Sequence, residues 1–263
     1  MSGQNPLAAS LRLLWEGVPE SERGPKPKLS LDQIVQAGIT LADSAGLEAL
    51  SMRKLAQRLG VGAMSLYRYV PSKTELLNLM VDAVMGPDPQ QKAASSAGWR
   101  RFLEATAWGD RELYLAHPWV LQANWTRPVI GPNSMAEMDL ILTEIRHLPL
   151  ADQQKMTVVT ALDSFVAGAV RQELLWQSAA AESGMSDHEF WRHQVPTMEL
   201  AMASGRFPTM AGLSEDTFDG GWEDTFAAGL ELLLDGIEAR ISEPSAEAGG
   251  EQAKHRLFEP GES

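Results

Sequence analysis

The histidine and carboxylate residues between 187 and 194 are the first candidates for chemistry in this sequence. His188, Glu189 and His193 almost match the zinc-binding pattern in which two histidines lie four positions apart on a helix. Here they lie five positions apart, which turns the two imidazoles about 140° away from each other at ~100° per residue. The pair cannot chelate one ion on a regular helix, so we expect no metal site.

Other catalytic motifs are missing as well. The sequence contains no cysteine, which excludes a disulfide framework, a thiolate-ligated metal and a cysteine nucleophile. The glycines at 60 and 62 lack the third glycine of a dinucleotide loop, and neither a Gly-Lys-Ser/Thr phosphate loop nor a Gly-x-Ser-x-Gly elbow occurs. We therefore expect a protein that is not an enzyme and holds no cofactor.

The charge distribution favours a nucleic-acid partner, although the whole chain carries a net charge of -13. Residues 51–73 contain five basic side chains and no acidic one. Phosphate contacts act within a Debye length of about 8–10 Å, so a local basic stripe matters more than the total charge. The five bases are Arg53, Lys54, Arg58, Arg68 and Lys73.

Helical spacing of apolar residues recurs along the chain and strand alternation is nearly absent, so the sequence predicts an all-α fold. Ser30 with Gln33 and Ser72 with Glu75 form two capping boxes that mark helix starts. The first four predicted helices lie at 30–45, 52–59, 63–69 and 72–85. Further helices are predicted at about 99–116, 118–125, 131–147, 151–181, 187–203 and 221–241.

The second and third helices, with a glycine turn at 60–62 between them, form a candidate helix-turn-helix. Such a turn lets two short helices cross steeply, and apolar side chains lock them together. The first turn of the second of these helices, 62–65, then presents small or flexible side chains to base edges in the major groove. The hydroxyls of Tyr67 and Tyr69 can donate to a phosphate or a base edge. The pattern also fits two packed helices with a solvated basic face.

The stretch 29–80 resembles the DNA-binding domain of the TetR family of bacterial transcriptional regulators. The resemblance is carried by Leu29-Ser-Leu-Asp-Gln-Ile34, Gly46-Leu-Glu-Ala-Leu-Ser-Met-Arg-Lys-Leu-Ala56 and Leu59-Gly-Val-Gly-Ala-Met-Ser-Leu-Tyr-Arg-Tyr-Val-Pro-Ser-Lys-Thr-Glu-Leu-Leu77. It implies an N-terminal three-helix head that the fourth helix joins to an all-helical, dimeric, ligand-binding body.

The resemblance also implies which residues contact DNA. The family's groove contacts fall on Arg53, Ala63, Met64, Ser65 and Tyr69, and its phosphate contacts fall on Tyr67 and Lys73. Met52 replaces the hydroxyl that commonly contacts a phosphate at the start of the second helix, so we expect that contact to be lost or moved. Ala63 and Met64 offer few hydrogen bonds and favour apolar contact with thymine methyl groups.

The chain from about 99 to 180 is similar to the body of the tetracycline-repressor branch. The similar pieces are Trp99-Arg-Arg101, His117-Pro-Trp119, Thr126-Arg-Pro128, Gly131-Pro-Asn133 and Asp163-Ser-Phe-Val-Ala-Gly168. Tetracycline-binding members hold a metal–drug complex through a His and a Glu, and aligning these pieces places Ala123 and Gln172 there. Neither side chain supplies an imidazole or a carboxylate, so we expect a ligand other than tetracycline.

Aromatic and polar residues of the body are candidates for a ligand pocket, since seven of the eight tryptophans lie between 99 and 222. Phe165, Gln172 and Trp176 share one helix face, where Gln172 needs a polar partner among apolar neighbours. The candidate ligand residues are Trp108, His117, Trp119, Asn124, Trp125, Met138, Phe165, Gln172 and Trp176. A tryptophan-rich core is the alternative explanation for any one of them.

The last long helix carries an apolar stripe. It consists of Trp222, Phe226, Leu230, Leu233 and Ile237. The family's four-helix-bundle dimer implies that this stripe meets a partner subunit, together with the outer face of 151–181. An intrachain core explains the stripe equally well.

These observations divide the chain into four parts. We expect a flexible extension at 1–28, in which 7–15 can form a short amphipathic helix, a helix-turn-helix domain at 29–86, a helical ligand-binding and dimerisation domain at 87–241, and a disordered tail at 242–263. Within them, 86–98 is a predicted linker and 205–221 a predicted mobile loop. No signal segment is recognisable and no apolar run reaches the ~20 residues of a membrane span, so we expect a cytoplasmic protein without a membrane partner.

The sequence therefore predicts a homodimeric, ligand-responsive transcriptional repressor. It is expected to bind double-stranded operator DNA and to be released by a small hydrophobic or aromatic inducer. The alternative is a helical small-molecule-binding protein or enzyme whose helix-turn-helix head does not bind DNA.

Overall fold

The computed structural model of the chain describes residues 6–17, 29–123, 129–218 and 220–242. These residues form α-helices and short 3₁₀ turns and contain no strand, which confirms the predicted all-α fold. Across the same residues, no helix combines the length and the apolar character that crossing a membrane requires.

Three helices form the N-terminal head. They are α2 (Leu31–Ala49), α3 (Met52–Arg58) and α4 (Ala63–Tyr67). The helix α2 begins at the predicted capping box, in which the Ser30 amide donates to the Gln33 side chain at 2.9 Å and the Gln33 amide donates to the Ser30 hydroxyl at 3.1 Å. Its regular part ends at Gly46, whose φ of 76° lies in the left-handed region. Ile34 and Leu66 are fully buried between the three helices.

The fourth predicted helix, α5 (Lys73–Val84), joins the head to the body. Ser72 caps it, with its hydroxyl accepting from the amide of Thr74 and donating to the Glu75 carboxylate. The helix lies so close to α2 that a Cβ on Gly38 would stand 2.9 Å from the Sδ of Met80. The two helices are therefore closely packed where α5 passes α2.

The remaining helices form the body. They are α6 (Pro89–Ala94), α7 (Trp99–Ala116), α8 (Pro132–Ile145), α9 (Asp152–Ser183), α10 (Asp187–Ala203), α11 (Pro208–Ala211) and α12 (Trp222–Ser242). The core lies between α7, α8, α9 and α12 and includes the buried side chains of Phe102 and Val166. A half-buried ion pair at 2.8 Å joins Arg111 of α7 to Glu173 of α9.

The N-terminal extension contains a packed helix at the place where the sequence allows a short amphipathic one. This helix, α1 (Pro6–Glu16), lies against α5. The buried hydroxyl of Ser10 accepts a hydrogen bond from the side-chain amide of Asn78 at 3.0 Å. The Trp15 indole donates to the carbonyl oxygen of Ile130 at 3.2 Å. The extension therefore touches both the connecting helix and the body.

The other differences from the predicted elements are local. The expected linker 86–98 contains α6, whose first amides are capped by the Asp88 carboxylate. The predicted helix 118–125 is a 3₁₀ turn at Pro118–Gln122, and the predicted loop 205–221 contains α11 and a 3₁₀ turn at Glu215–Phe218. Beyond residue 242, the predicted tail lies outside the described residues.

Candidate functional site

The turn between α3 and α4 has the geometry that a helix-turn-helix needs. Gly60 adopts a φ of +67°, which favours glycine, and the Val61 amide donates back to the Ala56 carbonyl oxygen at 3.0 Å. Behind the turn, Leu55 and Val70 are fully buried and hold α4 against the rest of the head. This packing leaves the opposite side of α4 free to meet another molecule.

The predicted DNA-contacting residues are all at least partly exposed. Met64 is 79% exposed, and Arg53, Tyr67 and Lys73 are exposed as well. Ala63, Ser65 and Tyr69 are half-buried. Among the described residues, no basic side chain between 51 and 73 has a carboxylate partner. Their charges are therefore available to phosphates.

Lys73 has a second role that the sequence does not reveal. Its Nζ donates to the carbonyl oxygen of Leu47 at 3.0 Å and so ties the start of α5 to the end of α2. The ammonium retains two further donors, which leaves it able to contact a phosphate as predicted.

The head is held to the body by Asp43 of α2. One of its oxygens accepts a hydrogen bond from the Trp119 indole at 2.7 Å and lies 2.8 Å from Nδ1 of His117. Both partners are among the predicted ligand residues. Trp119 is buried at this junction, where Asp43 supplies the acceptor that a buried indole N–H needs.

A second junction, which the sequence did not predict, lies at the end of α5. The buried Asp82 carboxylate accepts hydrogen bonds from the Ser134 amide at 3.0 Å, the Ser134 hydroxyl at 2.8 Å and the Asn133 amide at 3.3 Å. It thus caps the N-terminus of α8. A Cβ on Gly131 would clash with this carboxylate, so the position requires glycine.

The seven predicted ligand residues that the structure describes do not lie in one place. Trp108 and Phe165 both pack against Phe226, with ring centroids 4.8 and 5.3 Å apart. Trp176 belongs to a different aromatic cluster, with Phe190, Trp191 and Trp222.

The polar and sulfur-containing residues among the predicted ligand residues also lie in different places. Gln172, predicted to be a polar anchor among apolar neighbours, is exposed, because it lies on the outer side of α9. Met138 is half-buried and packs on the core. Asn124 and Trp125 lie outside the described residues.

A large cavity instead opens between the head and the body, with a volume of about 640 Å³. Its wall includes Gln36 and Ile39 of α2, Val84 of α5 and Leu113 of α7. Of the predicted ligand residues that the structure describes, His117 alone lies in it. A smaller cavity of about 470 Å³ lies between α6 and α7 and includes Trp108. Only the larger one touches both the head and the body.

Three acids, Asp88, Asp110 and Glu137, lie on the wall of the larger cavity, and Asp163 is near enough to Asp110 to act on its charge. These four residues are here called the acidic cluster. Burial and the repulsion of the other three carboxylates raise the pKa of Asp110 well above its usual range. Burial also raises the pKa of Glu137, although hydrogen bonds from the Gln91 side chain and the Gly86 backbone oppose the shift.

Tyr114 borders this cluster. Its hydroxyl donates to Asp163 at 2.8 Å, and burial together with the nearby acids raises its pKa.

The apolar stripe of α12 faces its own subunit. Phe226 is 2% exposed, Leu230 and Ile237 are buried, and Trp222 and Leu233 are half-buried within one chain. The intrachain-core alternative explains them, since these side chains pack on α7 and α9.

The opposite side of α12 is open. Leu232 is 73% exposed there, and a Cβ on Gly236 would meet nothing. On the neighbouring helix α9, Leu175 is exposed and a Cβ on Gly168 would also meet nothing. On each helix the two positions lie on a side that this chain leaves open, and these two sides are here called the outer face of α9 and α12.

Comparison with known proteins matches both parts of the chain. Residues 34–80 match the family of bacterial regulatory proteins called the tetR family, and residues 91–241 match the tetracyclin repressor-like C-terminal domain. The HTH-type transcriptional repressor DrrR1 of Streptomyces coeruleorubidus is 46% identical over 94% of this chain and 91% of its own. An HTH-type transcriptional regulator of Saccharopolyspora erythraea is 32% identical over 84% of this chain and 89% of its own.

Among solved structures, the chain is similar to ActR of Streptomyces coelicolor in complex with actinorhodin. The TM-score is 0.64 and the sequence identity 26%, over 82% of this chain and all of that one.

Asp110→Asn should stabilise the protein at neutral pH. The ionised carboxylate opposes folding because its folded pKa is raised, and the amide removes that charge while keeping the shape. We expect the unfolding temperature to rise by about 2–4 °C. The gain should disappear as the pH falls toward 3.8, the usual Asp pKa. At low pH the Asp110 carboxyl of the wild type is protonated in the folded state and increasingly in the unfolded state, so ionisation no longer favours unfolding. Thermal unfolding measured across this pH range checks both expectations.

Asp139→Asn is the matched control, since Asp139 lies exposed on α8. It should show no comparable gain. An equal rise in both variants would assign the effect to net charge rather than to the acidic cluster.

Proposed function

The chain belongs to the TetR family of bacterial transcriptional regulators, and we propose that it is a homodimeric repressor which a small hydrophobic or aromatic molecule releases from its operator. The observation that carries this proposal is the exposed side of α4, together with the basic side chains of 51–73, which have no carboxylate partner among the described residues. Such a surface suits the major groove and its flanking phosphates. The 46% identical relative is itself named a repressor. Because it acts on bacterial operator DNA, its place of action is the cytoplasm.

On DNA, α4 supplies the contacts to the bases. Met64 projects furthest and reaches thymine methyl groups, while Ser65 offers the hydroxyl closest to the helix start. Tyr67 and Lys73 contact phosphates on either side, and Arg53 at the start of α3 reaches the groove from the neighbouring helix. Specificity therefore rests on few polar contacts, and affinity rests mainly on phosphates.

The inducer occupies the cavity between the head and the body. A ligand there contacts Gln36 and Ile39 of the head as well as α7 of the body, so its binding energy depends directly on the position of the head. Actinorhodin, the ligand present in the ActR complex, shows that a protein with this fold binds an organic molecule. The function of this chain is regulation rather than catalysis.

The two junctions set the ligand-free position of the head. Asp43 holds α2 to His117 and Trp119, and Asp82 holds α5 to α8. We infer that these hydrogen bonds define the DNA-binding conformer, in which the two recognition helices of a dimer match successive major grooves about 34 Å apart. An inducer that binds better to a conformer with a displaced head releases the DNA.

The dimer forms through the outer face of α9 and α12 that contains Leu175, Leu232, Gly168 and Gly236. Small residues allow helices of two subunits to approach closely, and the exposed leucines provide apolar area to bury. This arrangement keeps the four-helix bundle of the family. The side of α12 that contacts the partner subunit is then not the stripe predicted from the sequence.

Lys73→Ala should weaken binding to all DNA sequences alike. Loss of one phosphate contact should reduce the slope of log affinity against log salt concentration by about one unit. Titration of a fluorescent promoter duplex at several salt concentrations measures this slope. Lys155→Ala, which changes a lysine of the body, is the control and should leave it unchanged. An unaltered slope in Lys73→Ala removes Lys73 from the phosphate contacts.

Leu232→Arg should convert the dimer to a monomer. The substitution places two unpaired guanidinium groups in a symmetric interface, which costs roughly 3–5 kcal/mol. Sedimentation velocity reports the change, and operator affinity should fall with it. Leu200→Arg is the matched control, since Leu200 of α10 is 75% exposed and lies away from the proposed face. A dimeric Leu232→Arg protein would place the interface elsewhere.

Asp43→Ala should lower operator affinity in the absence of ligand by about three- to tenfold, because the head loses the acceptor that holds it to Trp119 and His117. Glu48→Ala removes the same charge from the same helix without breaking that junction. Gel-shift titrations of both variants separate the junction from the change in charge. Equal affinities of the two variants would show that Asp43 does not position the head.

A further inference from the structure

Met64 has the most exposed large apolar side chain among the described residues, at 79%. It lies in the first turn of α4, the helix that supplies the base contacts in the proposed function. The packing behind α4 uses Leu55, Leu66 and Val70, and all three are fully buried. The Met64 thioether is therefore open to solvent whenever the head is not on DNA.

The remaining sulfur atoms in and against the head are shielded. Met52 of α3 is 7% exposed, and Met80 of α5, which packs against Gly38, is fully buried. The chain contains no cysteine, so no thiol reacts before the thioethers do. An oxidant dissolved in water therefore meets Met64 first in this part of the protein.

We propose that Met64 is an oxidation site, and that its conversion to the sulfoxide by a peroxide weakens operator binding. The sulfur attacks one oxygen of hydrogen peroxide, and an S–O bond forms as the O–O bond breaks. The departing hydroxide takes the proton of the transferred hydroxyl and leaves as water. Sulfur thereby loses two electrons and the peroxide gains them. The inference rests on the proposed function, since it names a modification of the DNA-reading surface.

Oxidation changes the one long side chain that α4 offers to the bases. Reduced Met64 presents an apolar surface to thymine methyl groups. The sulfoxide oxygen is a hydrogen-bond acceptor that holds water, and a methyl group gives it no donor in return. Ala63 has no polar group and Ser65 has one hydroxyl, so neither neighbour replaces the lost contact.

The loss should concern sequence preference rather than DNA binding in general. Tyr67 and Lys73, the proposed phosphate contacts, carry no sulfur and keep their donors after peroxide treatment. A dimer presents Met64 to both half-sites, so the effect occurs twice in one complex. Oxidised protein should therefore bind the promoter nearly as weakly as it binds unrelated DNA.

The test starts with the full-length protein treated with hydrogen peroxide, which is then removed with catalase. Peptide mass spectrometry measures the Met64 sulfoxide, and thermal unfolding confirms that the treated protein is folded. Titration of a fluorescent promoter duplex should show an affinity at least about tenfold lower. A scrambled duplex of equal length should lose less than about twofold. Complete conversion of Met64 without a change in promoter affinity overturns the proposal, as does a Met64 that stays reduced while Met156 is oxidised.

Met64→Leu keeps an apolar side chain that cannot form a sulfoxide. Its promoter affinity after treatment, divided by its own affinity before treatment, should be about one. Met156→Leu is the matched control, because Met156 is 40% exposed on α9 of the body, and this variant should show the full wild-type loss. An equal loss in Met64→Leu and the wild type would assign the effect to another residue and overturn the proposal.

Reversal gives a second readout. Methionine sulfoxide reductase should restore the promoter affinity of the oxidised wild type as Met64 returns to the thioether. A loss that persists after Met64 is reduced again contradicts the proposal.

Protection by DNA tests where Met64 lies in the complex. Promoter duplex present during the treatment should slow the oxidation of Met64 and leave that of Met156 unchanged. Equal Met64 oxidation with and without bound DNA would place this side chain outside the interface and overturn the inference.

The untreated protein separates this inference from the proposed function. Preference for the promoter over the scrambled duplex, combined with no effect of peroxide, overturns the oxidation site and leaves the regulator intact. An untreated protein that does not prefer the promoter overturns the proposed function, and the inference with it.

Discussion

A buried carboxylate, Asp82, sets the angle at which the head meets the body. It lies at the end of α5 and is surrounded by the first turn of α8, where backbone amides and the Ser134 hydroxyl satisfy its oxygens. A charge removed from water is tolerated only when its partners remain in place, so this junction has few low-energy alternatives. The requirement for glycine at 131 follows from the same close approach. The position of every helix in the head depends on this connection.

The cavity is a consequence of the way these parts are joined. Asp82 on one side and Asp43 on the other hold the head and the body together, and the space between the two junctions stays unfilled. An occupant of this space touches both parts at once. Communication between ligand and DNA then requires no long chain of intermediate residues, because α2 itself forms part of the ligand wall.

The head was predictable from sequence because its signals are local. Ser30 caps a helix and Gly60 supplies a left-handed turn wherever the rest of the chain lies. The body was predicted only in outline. A stripe through Phe226 indicates burial but not whether the neighbour belongs to the same chain, and here it is Phe165 of the same subunit. Nothing in the sequence indicated that Asp43 joins the head to the body, since its partners lie more than seventy positions away.

The helix α1 belongs to the unit that would have to be transferred if the DNA-binding head were exchanged between proteins. It precedes the head in sequence, yet it packs on α5 and its Trp15 reaches the carbonyl oxygen of Ile130. A chimaeric sensor built by grafting residues 29–86 onto a foreign body would leave Asp43 without its indole and would discard α1. The transplantable unit is therefore larger than the helix-turn-helix motif and includes both sides of each junction. The hydrogen bonds between the parts of this chain, rather than the ends of its sequence motifs, decide which residues must be transferred together.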